Sequence, residues 1–103
     1  MQIIANDIDD FSIAAIQLNA SMNSIENIGT MNVDLCSPCL DVSSLFADPS
    51  KPLTILCGDV FYDIEFASIV MDWLAAQRGG AKILVGDPGR HALPRSGELV
   101  EVR

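Results

Sequence analysis

The first fifty residues contain seven acids and no lysine or arginine; all six basic residues lie from Lys51 onward. Non-specific nucleic-acid binding needs cations that neutralise phosphates, so a chain with a net charge of −8 is excluded from that class as its main activity. No apolar run approaches the roughly 20 residues that span a bilayer. The opening Met1-Gln2-Ile3-Ile4-Ala5-Asn6-Asp7 lacks the basic segment that begins a secretory signal. A soluble, cytoplasmic protein without nucleic-acid or membrane partners is expected. Histidine occurs once, and His91 reads as a surface residue in a loop. The cysteines number three, an odd count. Cys36-Ser37-Pro38-Cys39 has the spacing of half a zinc site or of a redox pair, but no second CxxC follows it. The run after it, Leu40-Asp41-Val42-Ser43-Ser44, is loop-like rather than the start of a helix. Loop cysteines and no metal are expected there, with Cys57 a small buried hydrophobe in a strand.

What the chain does have is apolar content, 50% of 103 residues, which suits one domain over 1–103 with a single modest core. Four apolar runs each stop on an aspartate: residues 2–6 on Asp7, 30–33 on Asp34, 53–58 on Asp59 and 82–86 on Asp87. In an open α/β sheet the ligand lies outside the carboxyl ends of the strands, so acids at those ends are candidate site residues.

The pattern between these runs supplies the rest. Asp9 or Asp10 can cap a helix from Phe11 to Met22 whose apolar residues Phe11, Ala14, Ala15, Leu18 and Met22 recur at helical spacing. A weak strand ends at Val33, and the proline-containing stretch 35–52 is a connection with one helical turn at Val42 to Ala47. Leu53 to Cys57 is the clearest strand, and its unbroken apolar character predicts burial on both faces. A second helix is expected over 63–77, with Phe66, Val70, Trp73 and Leu74 on one face and Gly79-Gly80 as its stop. The strand Lys82 to Val85 follows, and Glu98-Leu99-Val100-Glu101-Val102 can begin another element. Strand, helix, strand, loop, strand, helix, strand implies an α/β protein with a parallel sheet.

Three pieces, Ile4-Ala5-Asn6-Asp7-Ile8-Asp9 with Leu18-Asn19-Ala20 and Asn23, then Gly58-Asp59-Val60-Phe61-Tyr62-Asp63, then Val85-Gly86-Asp87-Pro88-Gly89-Arg90, together resemble one family. It is the seven-stranded methyltransferases that use S-adenosyl-L-methionine, and within it the branch acting on a lysine of the electron transfer flavoprotein β subunit. The resemblance implies a partial Rossmann-like, doubly wound parallel sheet of about four strands with flanking helices, the family's second to fifth strands.

It also implies roles. Asp7 would accept hydrogen bonds from the cofactor ribose hydroxyls, the alternative being a helix cap, for which Asp9 and Asp10 are better placed. Asp34 would lie near the adenine amino group, or be an ordinary strand-end acid. Asp59 and Tyr62 match the family's Asp-x-x-Tyr/Phe motif: Asp59, at the edge of the cofactor site, would hold the acceptor ammonium and Tyr62 would wall the amine pocket. Their alternative is a strand-end acid and a core aromatic. Asp63 reads as a helix cap. Arg90 would pair with Asp87 or with a substrate carboxylate, in a turn that can also be purely structural.

The family's glycine-rich turn after its first strand has no match here, since the seven glycines stand at 29, 58, 79, 80, 86, 89 and 97. The chain therefore reads as a fragment with exposed strand edges, expected to bind the cofactor poorly or not at all, to be marginally stable and prone to self-association, and to be inactive alone. A truncated gene product is compatible with that reading. The implied reaction is methyl transfer to a lysine amine of a protein, with a small-molecule amine as the alternative acceptor. A phospho-receiver module, using Asp9, Asp10 and Asp59, is a competing class. It fails because Lys82 precedes its strand and the acidic pair lies two residues past the strand end.

Overall fold

A computed structural model describes residues 1–36, 40–48, 50–77, 79 and 81–94. Cys39, Gly80 and the alternation at 98–102 lie outside them. The chain falls into two compact units, Met1–Pro38 and Cys39–Arg103.

In the first unit, β1 (Ile3–Asn6) leads into α1 (Asp10–Met22) and back to β2 (Ile28–Met31). The helix starts just after Asp9, whose own backbone is extended: its carboxylate accepts the Phe11 N–H at 3.2 Å and the Ser12 hydroxyl at 3.0 Å. At the other end the Asn23 side chain donates to the Asn19 carbonyl, and Ser24 turns the chain with a φ of +55°. The two strands pair parallel, Ile3 opposite Ile28 through Asn6 opposite Met31. The Gln17 amide reaches the Thr30 hydroxyl at 2.9 Å and ties the helix to β2.

Two details depart from the sequence reading. The strand expected to end at Val33 ends at Met31, and it includes Gly29. The expected inward face is also reversed. Phe11 is 84% exposed, and Leu18 and Met22 are exposed with it, while Ile13, Ile16 and Ala20 are half-buried. Both stripes have helical spacing, and two positions along a helix is a rotation of about 200°, so Phe11 and Ile13 begin stripes on opposite sides. Periodicity alone could not choose between them.

The second unit repeats the strand-helix-strand order. After a 3₁₀ turn at Val42–Leu45, within the expected one, come β3 (Thr54–Gly58), α2 (Ile64–Ala75) and β4 (Lys82–Gly86). β3 and β4 pair parallel, Thr54 opposite Lys82 and Gly58 opposite Gly86. Leu53, Ile55 and Cys57 are buried with Ala67, Val70, Trp73 and Leu74; of the stripe expected on α2, Val70, Trp73 and Leu74 are buried, whereas Phe66 is only half-buried and Ala67 joins them. The one buried polar side chain among the described residues, Gln77, fastens the preceding connection to this core. Its carbonyl accepts the Val42 N–H at 3.0 Å, and its amide donates to Leu40 and Trp73 carbonyls, while the Trp73 indole also donates to Leu40.

β3 is not covered on both faces. Leu56 is 75% exposed and Leu84, its register partner, is exposed too. An apolar run is necessary for a doubly covered strand but does not cause it; the alternation here follows the single helix packed on this pair. The helix stops at Ala75, before the glycines expected to end it. Both units are α/β with parallel pairs, and no described helix is long and apolar enough to cross a membrane.

Candidate functional site

Because β3 and β4 are parallel and in register to Gly58 and Gly86, the residues that follow, Asp59 and Asp87, leave the same edge of the pair. Asp59 carries the ladder one step further, donating its N–H to the Gly86 carbonyl at 2.8 Å. Its φ is +51°, a left-handed conformation that aspartate tolerates better than most residues and that commonly marks a functional turn.

The turn after β4 is organised by its own acid. Asp87 Oδ1 accepts the N–H groups of Gly89 at 2.8 Å and Arg90 at 2.7 Å, and Gly89 passes through φ +91°, where a Cβ would be strained. That turn aims Arg90 back at the end of β3. Its guanidinium meets the Asp59 carboxylate in a two-pronged pair, Nε to Oδ1 and Nη2 to Oδ2, the latter at 2.8 Å. The guanidinium hydrogen bond holds the Asp59 carboxyl below the usual carboxylate range, against a smaller opposing effect of desolvation, and the arginine is pushed further up. Arg90 therefore meets the strand-end acid of β3, and Asp87 spends one oxygen on its turn. The other, Asp87 Oδ2, is buried and has no hydrogen-bond partner among the described residues.

The loop between Asp59 and α2 hangs on Phe61, which is fully buried at 0% exposure. On either side of that anchor the chain is held by Asp59 and by Asp63, which caps α2 by accepting the Glu65 and Phe66 N–H groups. Tyr62 is left 63% exposed, its ring stacked on Phe66 with centroids 5.4 Å apart and planes 26° apart. An exposed aromatic beside an acid-bearing turn can wall a ligand.

In the first unit, Asp7 follows β1 directly, half-buried, with Oδ1 accepting the Asp9 N–H at 2.9 Å. The cap of α1 is Asp9, as its placement suggested. Asparagines build the surroundings: the Asn6 amide both donates to the Val33 carbonyl and accepts the Val33 N–H, and Asn32 donates to the Asp7 carbonyl. Asp34 is exposed, three residues beyond the end of β2, and accepts the Cys36 N–H at 2.9 Å. His91 is exposed and Cys57 buried. Among the described residues no group of three or more His, Cys, Asp or Glu side chains is placed to hold a metal ion.

Sequence reasoning overlooked Phe61, Asn6, Asn32 and the Arg90–Asp59 partnership. The first left a signal, a large apolar residue in the short run Val60-Phe61-Tyr62 between Asp59 and Asp63. The asparagines left another, since an amide at a strand end can stand in for a peptide group.

No protein-family model matches the chain, and no solved structure matches it significantly. Curated proteins do. The chain is 33% identical over 102 residues to the electron transfer flavoprotein beta subunit lysine methyltransferase homolog of Caenorhabditis elegans, covering 92% of this chain and 42% of that protein. It is 33% identical over 91 residues to the Xenopus laevis electron transfer flavoprotein beta subunit lysine methyltransferase, covering 85% of this chain and 33% of the frog protein. Against the human protein of that name it is 32% identical over 91 residues, 86% of this chain and 31% of the human one. By sequence, then, the chain is similar to the electron transfer flavoprotein beta subunit lysine methyltransferases, of whose length it spans between 31% and 42%.

Proposed function

We propose that these residues form part of an S-adenosylmethionine-dependent methyltransferase that acts on a lysine amine of a protein, within a doubly wound sheet. The observation that carries this is the Asp59-x-x-Tyr62 turn at the carboxyl end of β3, with its acid ordered, its aromatic exposed and Phe61 anchoring the loop between them. An amine acceptor needs a carboxylate for its ammonium and an apolar wall for its methylenes, and these two side chains supply both.

The bound cofactor would supply an electrophilic methyl on a sulfonium. Asp7 fits the ribose, since among the described residues only the Asp9 N–H reaches its carboxylate and one oxygen remains to accept hydroxyl groups. Asp34 would serve the adenine end. The methionine end finds no fit in these residues, because no Gly-x-Gly turn occurs among them. Weak cofactor binding by this chain is therefore expected.

Amide-shift mapping of the labelled 103-residue chain tests the reading. Millimolar S-adenosylmethionine should move residues near Asp7 and Asp34, and a lysine-bearing peptide of an electron transfer flavoprotein β subunit should move residues 59–62. A free small amine that moves 59–62 as strongly as the peptide would shift the acceptor to small molecules. Micromolar cofactor affinity by titration calorimetry would overturn the expected weakness, and no response at either place would overturn the function.

A further inference from the structure

The pair that closes the site is made of two groups that the proposed reaction wants apart. We propose that Arg90 is a built-in stand-in for the acceptor's ammonium, a positioning and specificity residue that occupies Asp59 until the incoming cation displaces it onto Asp87. The inference rests on the assignment of Asp59 to the amine pocket.

Both halves of the pair are delivered by backbone. Asp59 is fixed by its ladder hydrogen bond to Gly86 and its positive φ, and Arg90 is fixed by the turn that Asp87 and Gly89 form. The guanidinium uses both Asp59 oxygens. An ammonium approaching that carboxylate meets a cation already in place, so binding is an exchange rather than an addition. The exchange is easy to make, because the side chains of Arg90 and Asp59 are 44% and 52% exposed and such pairs are weak. The displaced cation also has somewhere to go. Asp87 Oδ2 is buried without a hydrogen-bond partner among the described residues, three residues from Arg90 in the same turn, and already attracts its charge.

Arginine suits this task better than lysine would. Its guanidinium does not deprotonate in proteins, so the stand-in never becomes an amine nucleophile competing with the acceptor. Its fork also sets the plane of the carboxylate before the acceptor arrives.

The test follows the Asp59 side-chain carboxyl carbon by NMR in the full chain while Nα-acetyl-lysine-N-methylamide is titrated at neutral pH. Arg90→Gln should bind the probe about two- to fivefold more tightly than the parent, the exchange no longer opposing it. Asp87→Asn, which keeps an acceptor oxygen for the turn but loses the second seat's charge, should bind it more weakly. Opposite signs distinguish exchange from a merely structural role, which would weaken binding in both variants. Equal or weaker binding by Arg90→Gln, or a change of the same sign in both variants, overturns the proposal. If the peptide and S-adenosylmethionine shifts occur but these signs do not, the stand-in fails and the methyl-transfer reading survives. If the signs occur without cofactor shifts, the reverse holds.

Discussion

Phe61 is the residue on which the candidate site depends most and that the sequence advertised least. It is fully buried between an acid in a left-handed turn and an exposed tyrosine, so the loop's path is set by one side chain. Replacing it with alanine removes the contacts of a buried phenylalanine and leaves a cavity, a change worth about 3–5 kcal/mol. A chain of 103 residues has a total stability of about 5–15 kcal/mol, so the loss is about a fifth of it or more. Phe61→Leu keeps most of the volume and should cost about 1 kcal/mol, lowering the melting temperature by about 4–8 °C. Trp73 is the sole tryptophan and is buried in the same core, so its emission reports this unit directly. Phe61→Ala should red-shift that emission at room temperature, Phe61→Leu should melt early but cooperatively, and Tyr62→Ala, at an exposed position, should fall within about 0.5 kcal/mol of the parent. A Phe61→Ala chain that melts within about 2 °C of the parent with unchanged Trp73 emission would refute the anchoring argument.

Two further perturbations act elsewhere in the second unit. Gln77→Leu leaves the Val42 N–H without its partner in a buried place and should cost about 2 kcal/mol in a urea melt followed by Trp73; a loss under about 0.5 kcal/mol would show that the side chain fastens nothing. Acid should weaken the fold through Asp59, held low by the Arg90 hydrogen bond, and Asp48, held low by hydrogen bonds from the Ser50 hydroxyl and N–H. For a depressed carboxyl the stabilisation is present above its ordinary value, about pH 4, and is lost as pH falls through the lower native value. Melting temperatures should therefore drop below about pH 4, less steeply in Arg90→Gln; identical slopes would remove Arg90 as the cause.

The elements with one dominant signal were legible. Asp9 and Asp63 sit as caps because a short carboxylate ahead of an apolar period can satisfy the first free N–H groups, and both do. The α2 stripe was legible in part: Val70, Trp73 and Leu74 are buried as their spacing implied, while Phe66 is only half-buried, Ala67 is buried beside them, and Ile64 and Ile69 stay exposed on other sides of the helix. α1 has two rivals, and its choice of Ile13 and Ile16 over Phe11 and Leu18 is made by a sheet that periodicity does not contain. Strand ends were legible to within two residues. That tolerance decides more for site residues than for strands, since it moves Asp34 from the end of β2 to three residues beyond it.

The Arg90–Asp59 pair marks where sequence reasoning stops, for a definite reason. Thirty-one positions separate the two residues, and what joins them is the register of β3 against β4 together with an Asx turn, neither of which is encoded locally. From sequence, Asp87 is the nearer and more natural partner for Arg90. The structure gives Asp87 Oδ1 to the turn's own N–H groups, and the arginine reaches across to the neighbouring strand. A strand-end acid whose charge is already answered by an arginine is a different chemical object from a bare one: it is held ionised and oriented, and any cationic ligand must compete for it. The four aspartates that end apolar runs are thereby divided by their partners, with Asp59 answered by a side-chain cation and Asp7, Asp34 and Asp87 by backbone N–H groups.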